Sequence, residues 1–136
     1  MLPVILPLLV WLSYRDVKSH RIPNYGLVLL FAVTFAFSLV NDHPWLDHLI
    51  ATGIVFLTAV IAYMFLGLGM GDVKLLLILI LLVIPTESRS LHCFLSIFTA
   101  VCLFHVILVT RCSFRTDIAI PLAPSLSIAT VAVLFL

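Results

Sequence analysis

Apolar residues run almost unbroken along this chain, and only short polar clusters part them. A soluble domain of ordinary composition is about a quarter charged. Here 10% of the 136 residues are charged and 64% are hydrophobic, and the mean hydropathy is +1.33. A chain of this length has too little interior to hide so much apolar surface. It reads as an all-α polytopic membrane protein, a single integral-membrane unit over residues 1–136, with the lipid bilayer as its solvent. The formal net charge of +1 decides little, since placement of charge matters more than its total in such a chain. Nucleic-acid binding would need a basic face that the sequence lacks.

A membrane span takes about 20 apolar residues, with a range of roughly 17 to 25. Dividing the chain at its polar clusters gives six transmembrane helices, at about residues 1–15, 25–41, 47–67, 72–85, 91–110 and 118–136. The first is short and holds Pro3 and Pro7, so it is either irregular or runs on past Tyr14. It lacks a basic n-region and a small-residue cleavage site, and so reads as a retained segment and not a signal peptide. The fourth stops at Pro85, before the polar turn Thr86–Ser90.

Six spans put alternate connections on opposite sides. The first, third and fifth hold Arg15, Lys18, Arg21, Lys74, Arg111 and Arg115, whereas the second and fourth hold only Arg89. Basic residues concentrate on the cytoplasmic side. Both termini are therefore expected to be non-cytoplasmic, and Asp16 and Asp72 to share the cytoplasmic face.

These two acids each admit a plain reading. Asp72 follows Gly67-Leu-Gly-Met-Gly71 and opens an apolar helix, where aspartate is a favoured cap and suits the helix dipole; Lys74 would then snorkel to the interface. Asp16, in R15-D-V-K-S-H-R21, would pair locally with Arg15 or Lys18, a surface interaction of roughly 0–1 kcal/mol. Pro23, in Ile22-Pro23-Asn24, suits a helix start whatever its other role. Three alternating glycines are more than a cap needs. Gly67, Gly69 and Gly71 let the backbone bend and let another segment come close. Irregular backbone at membrane depth is tolerated where it is buried or lines a watery cavity, and ionisable residues there default to function. Asp42, Asp47, Glu87 and Asp117 sit among polar loop residues or at an exposed cap. His105 reads as an interior histidine. Cys93, Cys102 and Cys112 form no C-x-x-C pair, so no metal and no cofactor is expected.

Two aspartates on one face form a hydrolytic pair. The ionised one takes a proton from water; the protonated one hydrogen-bonds the scissile carbonyl and then protonates the leaving amine. Two adjacent negative charges are unfavourable, so such a pair holds one proton between them, and its titration belongs to the pair.

D16-V-K-S-H-R-I-P-N24 together with G69-M-G-D-V-K74 resembles the prepilin peptidases, intramembrane aspartyl proteases of the GxGD type that include the archaeal preflagellin peptidases. In that family the first catalytic aspartate precedes I-P-N by six residues, as Asp16 precedes Ile22, and the second lies in G-x-G-D-x-K, matched by Gly69, Gly71, Asp72 and Lys74. I120-P-L-A-P124 is similar to a proline-containing motif that opens the family's last segment. The resemblance spans essentially the whole chain. It implies Asp16 and Asp72 as catalytic residues, with Gly69, Gly71, Lys74, Ile22, Pro23 and Asn24 supporting the loop or the approach of substrate. It implies a bacterial inner-membrane endopeptidase that removes the leader of a type IV pilin-like precursor at the cytoplasmic face.

The long bacterial members carry a paired-cysteine zinc region and a methyltransferase activity that nothing here matches. The chain is thus similar to the short, peptidase-only kind serving Tad/Flp-type pili. Presenilin-like proteases share GxGD but are larger and set their first aspartate in another motif. Two other classes stay open: a carrier or ion pathway using the same acids, and a non-catalytic pilus-assembly subunit.

Overall fold

The computed structural model describes residues 2–19, 21–41, 44–66, 69–112 and 122–135. It holds six helices and, among the described residues, no strand: α1 (Leu2–Ser19), α2 (Asn24–Val40), α3 (Trp45–Leu66), α4 (Met70–Leu82), α5 (Ser88–Cys112) and α6 (Ala123–Phe135). Each falls on one of the six apolar runs. The first run does extend past Tyr14, carrying Asp16 within α1, and Pro7 is accommodated inside the helix. α4 ends at Leu82, with Val83 at its C-cap, because the residue before a proline is steered out of helical geometry and Pro85 offers no N–H to continue the ladder.

Two of the described helices are short for membrane spans. α4 and α6 have 13 residues each, about 20 Å at 1.5 Å per residue, less than a bilayer core of about 30 Å. Among the described residues, no helix is long and apolar enough to cross a membrane.

The neighbours define the layout. α1 packs on α2, α2 on α4, α4 on α6, and α6 back on α1; α3 lies against α4 and α5 against α6. Four helices thus form a closed ring with two outriders, and the short α4 and α6 take the interior positions. Their side chains fit that place. Leu75, Leu79 and Ile80 of α4 and Leu126, Ala129 and Val133 of α6 join Leu9, Leu12 and Leu30 in one core. Buried hydroxyls on these helices turn back to their own backbone: Thr130 and Ser127 donate to the carbonyls of Leu126 and Ala123, both at 2.8 Å. Small hydroxyl residues satisfied this way let helices approach closely. Ser13 of α1 and Ser127 of α6 meet across the contact at 2.8 Å. Gly26 serves the α1–α2 contact, since a Cβ there would lie 2.6 Å from the Trp11 ring.

Within the ring, α2, α4 and α6 begin at the end where α1 finishes. At the opposite end, His48 of α3 donates from Nδ1 to the Ile80 carbonyl of α4 at 2.8 Å.

Candidate active site

Asp72 owes its position to the start of α4. Gly69 is the N-cap, extended at φ −68°, ψ 136°, and its carbonyl accepts from the N–H groups of Asp72 and Val73 at 3.0 and 3.2 Å. The Asp72 side chain folds back over it: a Cβ built on Gly69 would stand 2.7 Å from Asp72 Oδ2. Gly71, inside the first turn, would place its Cβ 3.1 Å from Ile22 Cβ. Neither glycine has a left-handed φ. The sharp bend expected of them is therefore not what they supply at these two positions; they supply close approach, of a carboxylate at Gly69 and of Ile22 at Gly71. Gly67 lies outside the described residues, as do Asp42, Asp117, Ile120 and Pro121, and the side chain of His105.

The Ile22-Pro23-Asn24 stretch meets this turn twice. Pro23 is the N-cap of α2, at φ −69°, ψ 129°, and its carbonyl accepts from Gly26 and Leu27. Proline stands one position earlier than the first turn, where its φ is equally compatible. Ile22 packs over Gly71, and Lys74 Nζ donates to Asn24 Oδ1 at 3.2 Å. Two motifs roughly fifty residues apart in sequence are thus one local structure.

Asp16 comes from the last turn of α1. It is 4% exposed and Asp72 is 8% exposed. Its Oδ2 accepts the N–H of Ala123, the first residue of α6, at 3.1 Å. Asp72 Oδ1 is buried and, among the described residues, meets no hydrogen-bond partner. The two carboxylates are close enough for their charges to repel. They line one cleft of about 320 Å³ with Arg21, Asn24, Gly69 and Lys74. α1 and α4 are diagonal in the ring, so the acids face each other between the starts of α2 and α6. A second groove, of about 460 Å³, runs between α2 and α4 along Leu27, Val28, Phe31, Leu77 and Ile78; Asn24 and Lys74 border both it and the cleft.

Of the supporting residues expected from the sequence, Ile22, Asn24, Gly69, Gly71 and Lys74 line this one opening, whereas Pro23 caps α2 beside it without lining it. Two participants were missed in those roles. Arg21 read as part of a basic cluster and turns out to line the cleft. Ala123 contributes a backbone atom, which no side-chain pattern reveals; the prolines at 121 and 124 were the available sign that a helix begins there. Among the described residues no three His, Cys, Asp or Glu side chains stand together as a metal-binding group.

A family model described as the type IV leader peptidase family matches residues 4–112. No curated protein and no solved structure matches the chain.

Proposed function

This chain belongs to the type IV leader peptidase family, and we propose that it is an aspartic endopeptidase that removes the leader of Flp/Tad-type pilin-like precursors at the cytoplasmic face of a bacterial inner membrane. The family implies a peptidase acting on pilin precursors in general. The observation that carries the aspartic-peptidase reading is the meeting of Asp16 and Asp72, buried and from diagonal helices, in one cleft.

In this reading one carboxylate, ionised, removes a proton from a water held between the pair. The other, protonated, gives its proton to the scissile carbonyl as the water adds; when the tetrahedral intermediate collapses, the first passes the proton it took from water to the departing amine and a hydroxyl of the intermediate reprotonates the second. Gly69 keeps Asp72 free to turn toward the cleft. The apolar groove, continuous with the cleft at Asn24 and Lys74, gives the hydrophobic segment beyond the cut a path along α2 and α4. Membrane residence as one integral unit is supported by exposed apolar side chains on α2 and α3, where Val40, Leu46, Leu57 and Met64 are more than half exposed. Water disfavours large exposed apolar surface.

The test is precursor processing in detergent with no gradient imposed. Native chain, Asp16→Asn, Asp72→Asn and, as a control, Asp117→Asn are compared. Loss in the first two variants alone supports the reading. Near-native cleavage by either would make that aspartate structural, and a folded native chain that cleaves no pilin-like precursor would favour the carrier or assembly readings.

A further inference from the structure

The two aspartates are not equivalent, and the difference comes from α6. Leu122 is the cap of that helix, its carbonyl accepting from Leu126 at 3.0 Å, so Ala123 is the first helical residue. The first N–H groups of a helix have no partner within it. Pro124, next in line, has none to offer. The N–H of Ala123 donates instead to Asp16 Oδ2 at 3.1 Å. α6 has no ionisable side chain over its 13 residues, so its electrostatic effect on Asp16 is exerted by backbone: one amide and the positive end of the helix dipole. Both favour the charged carboxylate. Asp72, by contrast, buries Oδ1 without a hydrogen-bond partner among the described residues. A carboxylate anion is poorly served there, whereas a neutral carboxyl bears little charge on that atom.

We infer that the Ala123 backbone amide is a positioning donor that keeps Asp16 as the ionised, water-activating member of the pair and leaves the shared proton on Asp72. The inference rests on the paired-aspartate reading and assigns its roles. The proton then moves from water to Asp16 while Asp72 gives its own to the substrate carbonyl; as the resulting gem-diol collapses and its C–N bond breaks, Asp16 passes its proton to the leaving amine and a diol hydroxyl returns one to Asp72, so the starting state returns. Other charged groups face the same cleft, namely Arg21 and Lys74, and Arg15 and Lys18 lie on the exposed side of α1. They are left unchanged in the experiment.

Ala123→Pro deletes the donor at a helix position that tolerates proline. Ala123→Gly retains it and controls for packing. Backbone ester replacement at 123 removes the N–H with almost no change of shape. Losing a donor to the charged form raises the titration of Asp16, so the acidic limb of kcat/KM should move upward by about one pH unit in the proline and ester variants. The plateau kcat should fall about tenfold with KM little changed, and the glycine variant, which keeps the N–H, should keep the acidic limb where the native chain has it. If the limb stays in place in a folded proline variant and in the ester variant, the inference is overturned. If the proline variant does not fold, the ester decides. Infrared titration supplies a readout that needs no cleavage. The protonated-carboxyl band at neutral pH should vanish in Asp72→Asn and persist in Asp16→Asn; the reverse overturns the assignment. A native chain that cleaves nothing but shows these bands would sink the peptidase reading and leave the charge assignment standing.

Discussion

Asp16 and Asp72 reach one cleft from opposite kinds of helix end. Asp72 stands in the first turn of α4, where the dipole favours a carboxylate, and the backbone that places it is local: Gly69 three residues before it and Gly71 beside it. Asp16 stands in the last turn of α1, the end that disfavours negative charge, and depends on α6, which starts 107 residues further on. One aspartate is placed by its own turn and the other by a distant helix. The contrast teaches that a paired-acid motif can be half local and half tertiary, and under the inference above the tertiary half is what selects the charged carboxylate.

The largest expected effect removes the distinction altogether. Asp16→Asn and Asp72→Asn should each lower cleavage by about 10²–10⁴-fold, with Asp117→Asn at native rate; assays of purified variants that keep native thermal unfolding would check this. Next comes Gly69→Ala. The methyl would displace Asp72 Oδ2, which lies 2.7 Å from the new Cβ position. A side-chain terminus shifts at little energetic cost, but here it is the reacting group, and a misplacement near 1 Å can cost about 10²-fold. Activity should therefore fall while the unfolding temperature holds or rises slightly. Gly71→Ala presses on Ile22, at 3.1 Å, and should cost only several-fold. If Gly71→Ala proves the more damaging of the two, Asp72 is not held by its local turn.

Smaller still is the Lys74–Asn24 link between the two motifs. Lys74→Ala and Asn24→Ala should each lower kcat/KM by less than about tenfold. The double variant should lose no more than the worse single one, a coupling of about 1 kcal/mol. Full additivity would mean that the 3.2 Å contact does not act as a unit. The least catalytic effect belongs to the far end of the ring. His48→Ala strands the buried Ile80 carbonyl and should destabilise the fold by about 1–3 kcal/mol, read as a lower unfolding temperature in detergent, with the cleavage rate of the folded enzyme unchanged.

Six helices were legible because each is an apolar run closed by a proline or a polar cluster, and their order follows from chain order. The loop chemistry around Asp72 was legible too, since Gly69, Gly71 and Asp72 act on one another over three residues. Helix lengths were less so. The last apolar run suggested a span from about 118; residues 118–121 lie outside the described residues, and the described α6 runs from Ala123 to Phe135, since hydropathy marks where a chain prefers to be buried and says little of where its hydrogen-bond ladder begins.

Sequence by itself determined the all-helical class, the family, and which acids stand apart from the rest, because these depend on composition and on short-range spacing. Tertiary structure alone decided that α1 and α4 are diagonal, that Ile22 needs Gly71 and Asn24 meets Lys74, and that the amide of Ala123 serves Asp16. Those outcomes depend on which helices become neighbours in the ring. Packing of whole helix faces sets that, and a backbone N–H, identical in nearly every residue, leaves no mark in the sequence until the fold gives it a partner.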